Sequence, residues 1–247
     1  MENKNIAIIL VAPENVDNIG AVARALKNTG FSDLRLVRPP LNWRVKGKKL
    51  AMSAVDVLKN GKVFPSLEKA VHDRNLVIGT TRRNGTWRGF FSPFREMISK
   101  VRRSAGVLKV GIVFGCESKG LANEDIDVCD CLVTIPASPR YPSLNLAQAV
   151  MVTLFSLSVS PDAARQEPSE RFLDKKETAV VLDHFEEALR ALGYRLGGND
   201  LLPRILDTMR GLFKRGGLIE PEAQMIKGLS RRIREKVLSC TARKGRL

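Results

Sequence analysis

The chain is poor in the residues that build disulfide and metal sites. Its 247 residues include four cysteines and two histidines. Cys116, Cys129, Cys131 and Cys240 are too few and too scattered for a disulfide framework in a chain of this size. His72 and His184 stand at no ligand spacing from Cys129-x-Cys131, so no metal is expected. Long apolar runs are also missing: none approaches the roughly 18 residues of a membrane span. Met1–Asn5 lacks the basic-then-apolar order of a signal peptide, and a cytoplasmic protein is the expectation. There is no GxGxxG, which sets aside a Rossmann-type dinucleotide loop. Acidic residues are in deficit, 26 against 41 Lys and Arg, which leaves a net charge of +15. Aromatics are sparse at 6%, and no aromatic-rich amphipathic helix is present to enter an anionic membrane surface. A nucleic acid is therefore the favoured polyanionic partner.

The positive charge is clustered. From Thr80 to Arg103 the chain carries Arg82, Arg83, Arg88, Arg95, Lys100, Arg102 and Arg103 with Glu96 as the only acid. From Lys227 to Leu247 there are eight basic residues and one acid, Glu235. Arg82, Arg83 and Arg88 in the first cluster, and Arg231, Arg232 and Arg234 in the second, are the candidate phosphate contacts.

Ile6–Val11 is continuously apolar, as befits a strand covered on both faces. A helix ending near Thr29-Gly30 and a strand over Leu34–Val37 follow, and the alternation continues. Helix is expected over Ala51–Leu58 and Leu67–Val71, strand over Lys62–Phe64 and Leu76–Gly79, helix over Ser92–Arg103, and strand over Val107–Phe114 and Cys131–Ile135. Such alternation predicts an α/β fold with a mostly parallel sheet. Ligands collect at the carboxyl ends of such strands, where the loops Thr80–Gly89 and Gly115–Gly120 and the run Pro136–Ser143 lie. Ser143 reads as an N-cap opening a buried helix. Asn145 in its first turn is either a buried amide bonded to its own structure or a functional group. Residues 158–172, with two prolines and many charges, read as a linker. Beyond it the strands stop, and Lys175–Leu192, Leu201–Phe213 and Glu220–Leu238 read as helices. The last has an apolar stripe of Ile226, Leu229, Ile233 and Val237, with Arg231, Arg232 and Arg234 outside it. The expected division is 1–157, 158–172 and 173–247, the last a small, basic, all-helical domain.

Three segments carry more specific information: Asn18-Ile19-Gly20-Ala21-Val22-Ala23-Arg24, Gly111–Leu121 with Gly115-Cys116-Glu117-Ser118, and Ser143-Leu144-Asn145-Leu146-Ala147. In this order and at these separations they resemble the three motifs of the SpoU branch of the SPOUT RNA 2′-O-ribose methyltransferases, and within it the TrmJ subfamily. The resemblance spans roughly residues 5 to 157. It implies a parallel sheet with a C-terminal trefoil knot, which no periodicity argument could supply. It also implies S-adenosylmethionine as cofactor, in a cleft of Thr80, Thr81, Arg82, Gly115, Ile135, Pro142, Ser143 and Leu144. Gly115 would serve there either to let backbone approach the ligand or simply to make a turn.

Methyl transfer to a ribose hydroxyl needs an aligned methyl group, loss of the hydroxyl proton and a fixed RNA backbone. By the resemblance, Arg24 is the essential residue. It either grips a phosphate and polarises the 2′-hydroxyl, as befits a guanidinium that keeps its charge, or takes the proton with that phosphate's help. As a purely structural residue it would pair with a surface acid. Asn18, Glu117, Ser143 and Asn145 complete the candidate catalytic set, with Glu117 stabilising the cofactor loop. The implied substrate is tRNA, at a cytidine or uridine of the anticodon loop, conventionally position 32, and the implied assembly is a homodimer in which Arg24 of one subunit serves the other. Ribosomal RNA as substrate, or an inactive RNA-binding protein of the same fold, are the alternatives.

Overall fold

Ile6–Val11 is buried at every position because its alternate residues serve two different cores. Ile6, Ile8 and Leu10 face one layer of helices, and Ala7, Ile9 and Val11 the other. An uninterrupted apolar run is the signature of a strand with no wet face.

The computed structural model describes residues 3–82, 91–104, 106–159, 171–195 and 201–244. In chain order its first elements are β1 (Ile6–Val11), α1 (Val16–Asn28), β2 (Asp33–Val37), α2 (Trp43–Lys46), α3 (Lys48–Ala51), α4 (Val55–Asn60), β3 (Lys62–Phe64), α5 (Leu67–Val71) and β4 (Leu76–Thr80). There follow β5 (Phe91–Ser92), α6 (Phe94–Ser104), β6 (Val110–Phe114), α7 (Asn123–Val128), β7 (Cys131–Val133) and α8 (Leu146–Val159). Helices α9 (Lys175–Ala191), α10 (Leu202–Gly216) and α11 (Glu220–Lys244) close the chain.

The seven described strands form one sheet in the order β3-β2-β1-β6-β4-β7-β5, and every pairing is parallel. The chain steps outward from β1 to β3 and then resumes on the other side at β4. This reversal of direction is where open parallel sheets place their ligands. Here it sets the carboxyl ends of β6, β4 and β7 side by side, with Gly79 opposite Val113 and Thr80 opposite Val133.

Three details depart from the sequence expectations. The two-residue β5 pairs with β7, too short to leave a periodic trace. The basic stretch Trp43–Ala51 is helical, broken at Gly47. Strand β6 begins at Val110 rather than Val107, since the N–H groups of Val107 and Leu108 both donate to Ser104 O and finish the turn after α6.

The chain divides into two compact units, Met1–Pro168 and Ser169–Leu247. The linker expected over 158–172 falls mostly on residues 160–170, outside the described residues. In the second unit α9 starts on a capping box, Asp174 Oδ1 accepting from Glu177 N at 2.8 Å and Glu177 Oε2 from Asp174 N at 2.9 Å. Helix α11 turns Ala223, Ile226 and Ser230 inward, whereas Leu229, expected in its apolar stripe, is 55% exposed. Ser230 can replace it in the packed face because its hydroxyl donates to Ile226 O at 2.8 Å and so carries no unsatisfied group inward. Among the described residues no helix is long and apolar enough to cross a membrane.

Candidate active site

The carboxyl ends of β4, β6 and β7 open into a cavity of about 260 Å³. Thr80, Thr81, Arg82, Gly115, Ile135, Pro142, Ser143 and Leu144, the eight residues expected around a cofactor, all stand on its wall, and Glu117 joins them. Thr80 cannot offer its hydroxyl freely, since Oγ1 donates to Val113 O at 2.9 Å. Thr134, which sequence reasoning passed over, differs. Its Oγ1 is buried on the same wall and has no hydrogen-bond partner among the described residues. A threonine at the end of an apolar strand carries no sign of this in the sequence.

Gly115 is explained by the loop that follows it. A Cβ at this position would lie 2.1 Å from Gly120 C and 2.2 Å from Leu121 N. Residues 116–120 fold back on Gly115, closed by Gly120 N donating to Cys116 O at 2.9 Å and by a φ of 73° at Gly120. The glycine is required by the turn itself, the second of its two expected roles.

That turn presents Glu117. Its Oε2 accepts from Glu14 N at 2.7 Å, and its Oε1 accepts from Asn15 N at 3.2 Å and Asn18 Nδ2 at 2.7 Å. Burial pushes the carboxyl pKa upward, but the hydrogen bonds from Asn18 and the backbone outweigh it and hold the group below the usual glutamate range. Asn18 Oδ1 in turn accepts from Asn145 Nδ2 at 3.0 Å. Asn145 Oδ1 then accepts from Ala147 N at 2.9 Å and Gln148 N at 3.4 Å, while Asn145 N donates to Gln148 Oε1 at 3.3 Å.

Asn145 is therefore the N-cap of α8, closing a capping box with Gln148, and the cap expected at Ser143 lies two residues too early. Asn145 is bonded to its own helix as one reading expected, but it is exposed rather than buried, and its amide nitrogen also reaches another motif. The polarity of the chain is fixed from both ends. A carboxylate only accepts, so Asn18 must turn its NH₂ toward Glu117; helix N–H groups only donate, so Asn145 must turn its oxygen toward them. Residues 127 and 99 positions from Asn18 thereby meet at one point.

Arg24 lies on α1 off the cavity wall, exposed and without an ion-pair or hydrogen-bond partner among the described residues. Among the described residues no surface acid pairs with it, as a structural role would require. Gly20, one turn earlier, sets the helix tightly against α2 and α3: a Cβ on it would meet Gly47 O at 2.2 Å. Arg82 is exposed at the cavity edge, and Arg83 and Arg88 lie outside the described residues. On α11, Arg231 and Arg232 are exposed, but Arg234 is paired with Glu187 of α9. Among the described residues no group of three His, Cys, Asp or Glu side chains could hold a metal ion.

Two sequence motifs thus wall one cavity at a topological switch point and the third is hydrogen-bonded to both through Asn18, and residues 5–155 match the model of the SpoU rRNA Methylase family. The chain belongs to the SpoU rRNA methylase family. Within this family, the LasT protein of Escherichia coli K12, described as an uncharacterized tRNA/rRNA methyltransferase, is 39% identical over 186 residues, 75% of this chain and 77% of LasT. The tRNA (cytidine/uridine-2′-O-)-methyltransferase TrmJ of E. coli K12 is 32% identical over 233 residues, 92% and 94% of the two chains. The crystal structure of TrmJ from Z. mobilis ZM4 superposes with a TM-score of 0.76 at 31% identity, covering 92% of this SpoU chain and 98% of that one.

Proposed function

We propose that this SpoU-family chain transfers a methyl group from S-adenosylmethionine to the 2′-hydroxyl of a cytidine or uridine in the tRNA anticodon loop, at the conventional position 32. It does so in the cytoplasm and as a homodimer. The observation that carries the reading is the Glu117–Asn18–Asn145 relay, which ties three motifs together beside a cavity that Glu117 lines. The TrmJ relatives, similar over most of the chain, supply the substrate class.

The cavity suits the cofactor chemically. Leu132, Ile135 and Leu144 offer an apolar surface to a purine ring, and the unpartnered Thr134 Oγ1 offers a hydrogen bond to a polar atom. Thr80, Thr81, Arg82, Gly115, Pro142 and Ser143 complete the residues assigned to hold it. When bound, S-adenosylmethionine supplies an electrophilic methyl group. The protein's own task is to hold the acceptor oxygen and help it lose its proton.

Glu117 is unsuited to be the base. A general base works best with a pKa near the operating pH, and this carboxyl is held low with both oxygens occupied. Its assigned role is to fix Asn18 and the loop after β6. Arg24, exposed and with no ion-pair partner among the described residues, is assigned to clamp the phosphate beside the target ribose and to polarise the 2′-hydroxyl across the dimer, which would make its proton easier to pass to water. Ser143 and Asn145 orient the ribose from the α8 side. Arg82 on the cavity wall, Arg83 and Arg88 after it in the sequence, and Arg231 and Arg232 on the helical unit 173–247, are assigned to tRNA phosphates. The reading includes a trefoil knot formed by the chain from β6 to α8, supported by the way the loops after β6 and β7 wall the same cavity.

The test is transfer of label from S-adenosylmethionine to unmodified tRNA, with Arg24→Ala beside the wild type and the product mapped by mass spectrometry. Label on an anticodon-loop ribose, lost in the variant, is the expected result. Label on ribosomal RNA instead would keep the chemistry and move the substrate, a possibility the tRNA/rRNA description of LasT makes concrete. Absence of both label and cofactor binding would leave only an RNA-binding protein.

A further inference from the structure

The loop between β7 and α8 holds a side chain that the reading above leaves unused. Tyr141 is 77% exposed, whereas the other tyrosine, Tyr194, packs against the cluster of Leu189, Leu202 and Leu206. An aromatic body left in water beside a ligand cavity is a recognition surface in waiting, since burial of such a ring is strongly favourable.

The backbone that carries this ring is braced. Ser138 and Tyr141 form an antiparallel bridge, with Tyr141 N donating to Ser138 O at 3.0 Å and Arg140 N to Ser138 Oγ at 3.3 Å. Pro136, Pro139 and Pro142 fix φ at three positions of the same stretch. Pro142, Ser143 and Leu144, which follow directly, are cavity wall, so Tyr141 is joined directly to that wall. Arg140 beside it is exposed and has no ion-pair partner among the described residues. A braced backbone loses little conformational freedom on binding, which favours affinity.

An exposed aromatic face next to an uncommitted guanidinium matches the two parts of a single-stranded nucleotide, its base and its phosphate. We propose that Tyr141 stacks on the base of the nucleotide whose ribose enters the cavity, with Arg140 on an adjoining phosphate. The proposal rests on the RNA-methylation reading above. Every base offers a π-face, so a stacking contact holds cytidine and uridine alike without reading their edges.

The test places pyrrolo-cytidine, whose fluorescence is quenched by stacking, at the methylated position of an otherwise unmodified tRNA and titrates it with the full-length protein. Wild type quenches the probe. Tyr141→Phe retains the quench, while Tyr141→Ala loses it and raises Kd for tRNA about tenfold. Arg140→Ala keeps the quench and weakens binding in a salt-dependent way. S-adenosylmethionine affinity by calorimetry and particle mass by light scattering are unchanged in the Tyr141 variants. A full quench in Tyr141→Ala overturns the proposal, as does a wild type that binds tRNA without quenching. Tyr141→Ala protein with reduced mass or weakened cofactor binding overturns it too, because the ring is then a contact to a second copy or to the cofactor. Failure of the wild type to bind S-adenosylmethionine sinks the methyltransferase reading instead, and the two failures are told apart by which titration is flat.

Discussion

The two oxygens of Glu117 already accept from three donors on the segment Glu14–Asn18, so the side chain acts as a fixed acceptor. Glu117→Gln must turn an NH₂ toward one of those donors, which strands a hydrogen bond and repels Asn18 or Glu14 N. Losing a hydrogen bond to a charged group costs about 1.5–3 kcal/mol. The expected outcome is a lower denaturation midpoint and methyl transfer reduced at least tenfold, and unchanged transfer would remove Glu117 from the relay. The pH behaviour has a definite sign. A carboxyl whose folded pKa is depressed contributes stability above its unfolded value, about 4.3, and loses it as pH falls through the folded value. Wild type should therefore lose stability below about pH 4 by more than Glu117→Gln does. Gly115→Ala tests the neighbouring turn: its Cβ would collide with the backbone of Gly120 and Leu121, and overpacking of this kind costs about 1–3 kcal/mol. Cofactor binding by calorimetry should be lost while the far-ultraviolet circular dichroism spectrum is kept.

Elements were legible wherever one physical rule acted alone. β1, β4 and the buried core of β6 announced themselves as apolar runs, because both faces are covered. α8 was recognised but misplaced, because Ser143 and Asn145 are both good caps and only the tertiary contact to Asn18 selects the second. α2 and α3 were missed because a lysine-rich stretch interrupted by Gly47 has no apolar face of its own; its helicity depends on docking against Gly20 of α1. The cavity wall was legible through the family resemblance that the motifs carry, yet Thr134 was not, since an unpartnered hydroxyl is a property of its surroundings. Nor could the sequence reveal the charge cluster at the opposite end of the sheet, which joins β2, the end of α5 and β4. Arg35, 3% exposed at its side chain, pairs with Asp33 at 2.9 Å and Asp73 at 2.6 Å, and Arg74 pairs with Asp73 at 2.6 Å. Burial opposes ionisation of Asp73, but hydrogen bonds from Arg35 and Arg74 prevail and hold its carboxyl far below the usual range. Its stabilisation is present above the unfolded aspartate value of about 3.9 and is lost as pH falls. Asp73→Asn should cost on the order of 2 kcal/mol at neutral pH and flatten the acid limb of the stability curve; an acid unfolding profile identical to wild type would show the cluster to be energetically idle.

At the scale of the whole molecule, a net charge of +15 attracts any polyanion, so charge alone does not say which cations touch tRNA. The structure separates them by what each is already doing. Arg82 at the cavity edge and Arg232 on α11 are exposed and have no ion-pair partner among the described residues. Arg231 has only a loose, exposed contact with Glu235 at 3.9 Å, which contributes little. Arg234 is committed to Glu187, bridging α11 to α9 within the second unit. Each phosphate contact released on substitution lowers the slope of log K against log salt by about 1. Single alanine variants of Arg82, Arg231 and Arg232 should each weaken tRNA binding and flatten that slope by about 1, with the denaturation midpoint unchanged. Arg234→Ala should do the reverse, lowering the midpoint of the helical unit while leaving the slope near the wild-type value. If Arg234→Ala instead flattens the slope as the others do, Glu187 is surrendering its partner to RNA. The ion pair between α9 and α11 would then be a resting state that substrate binding exchanges for a phosphate.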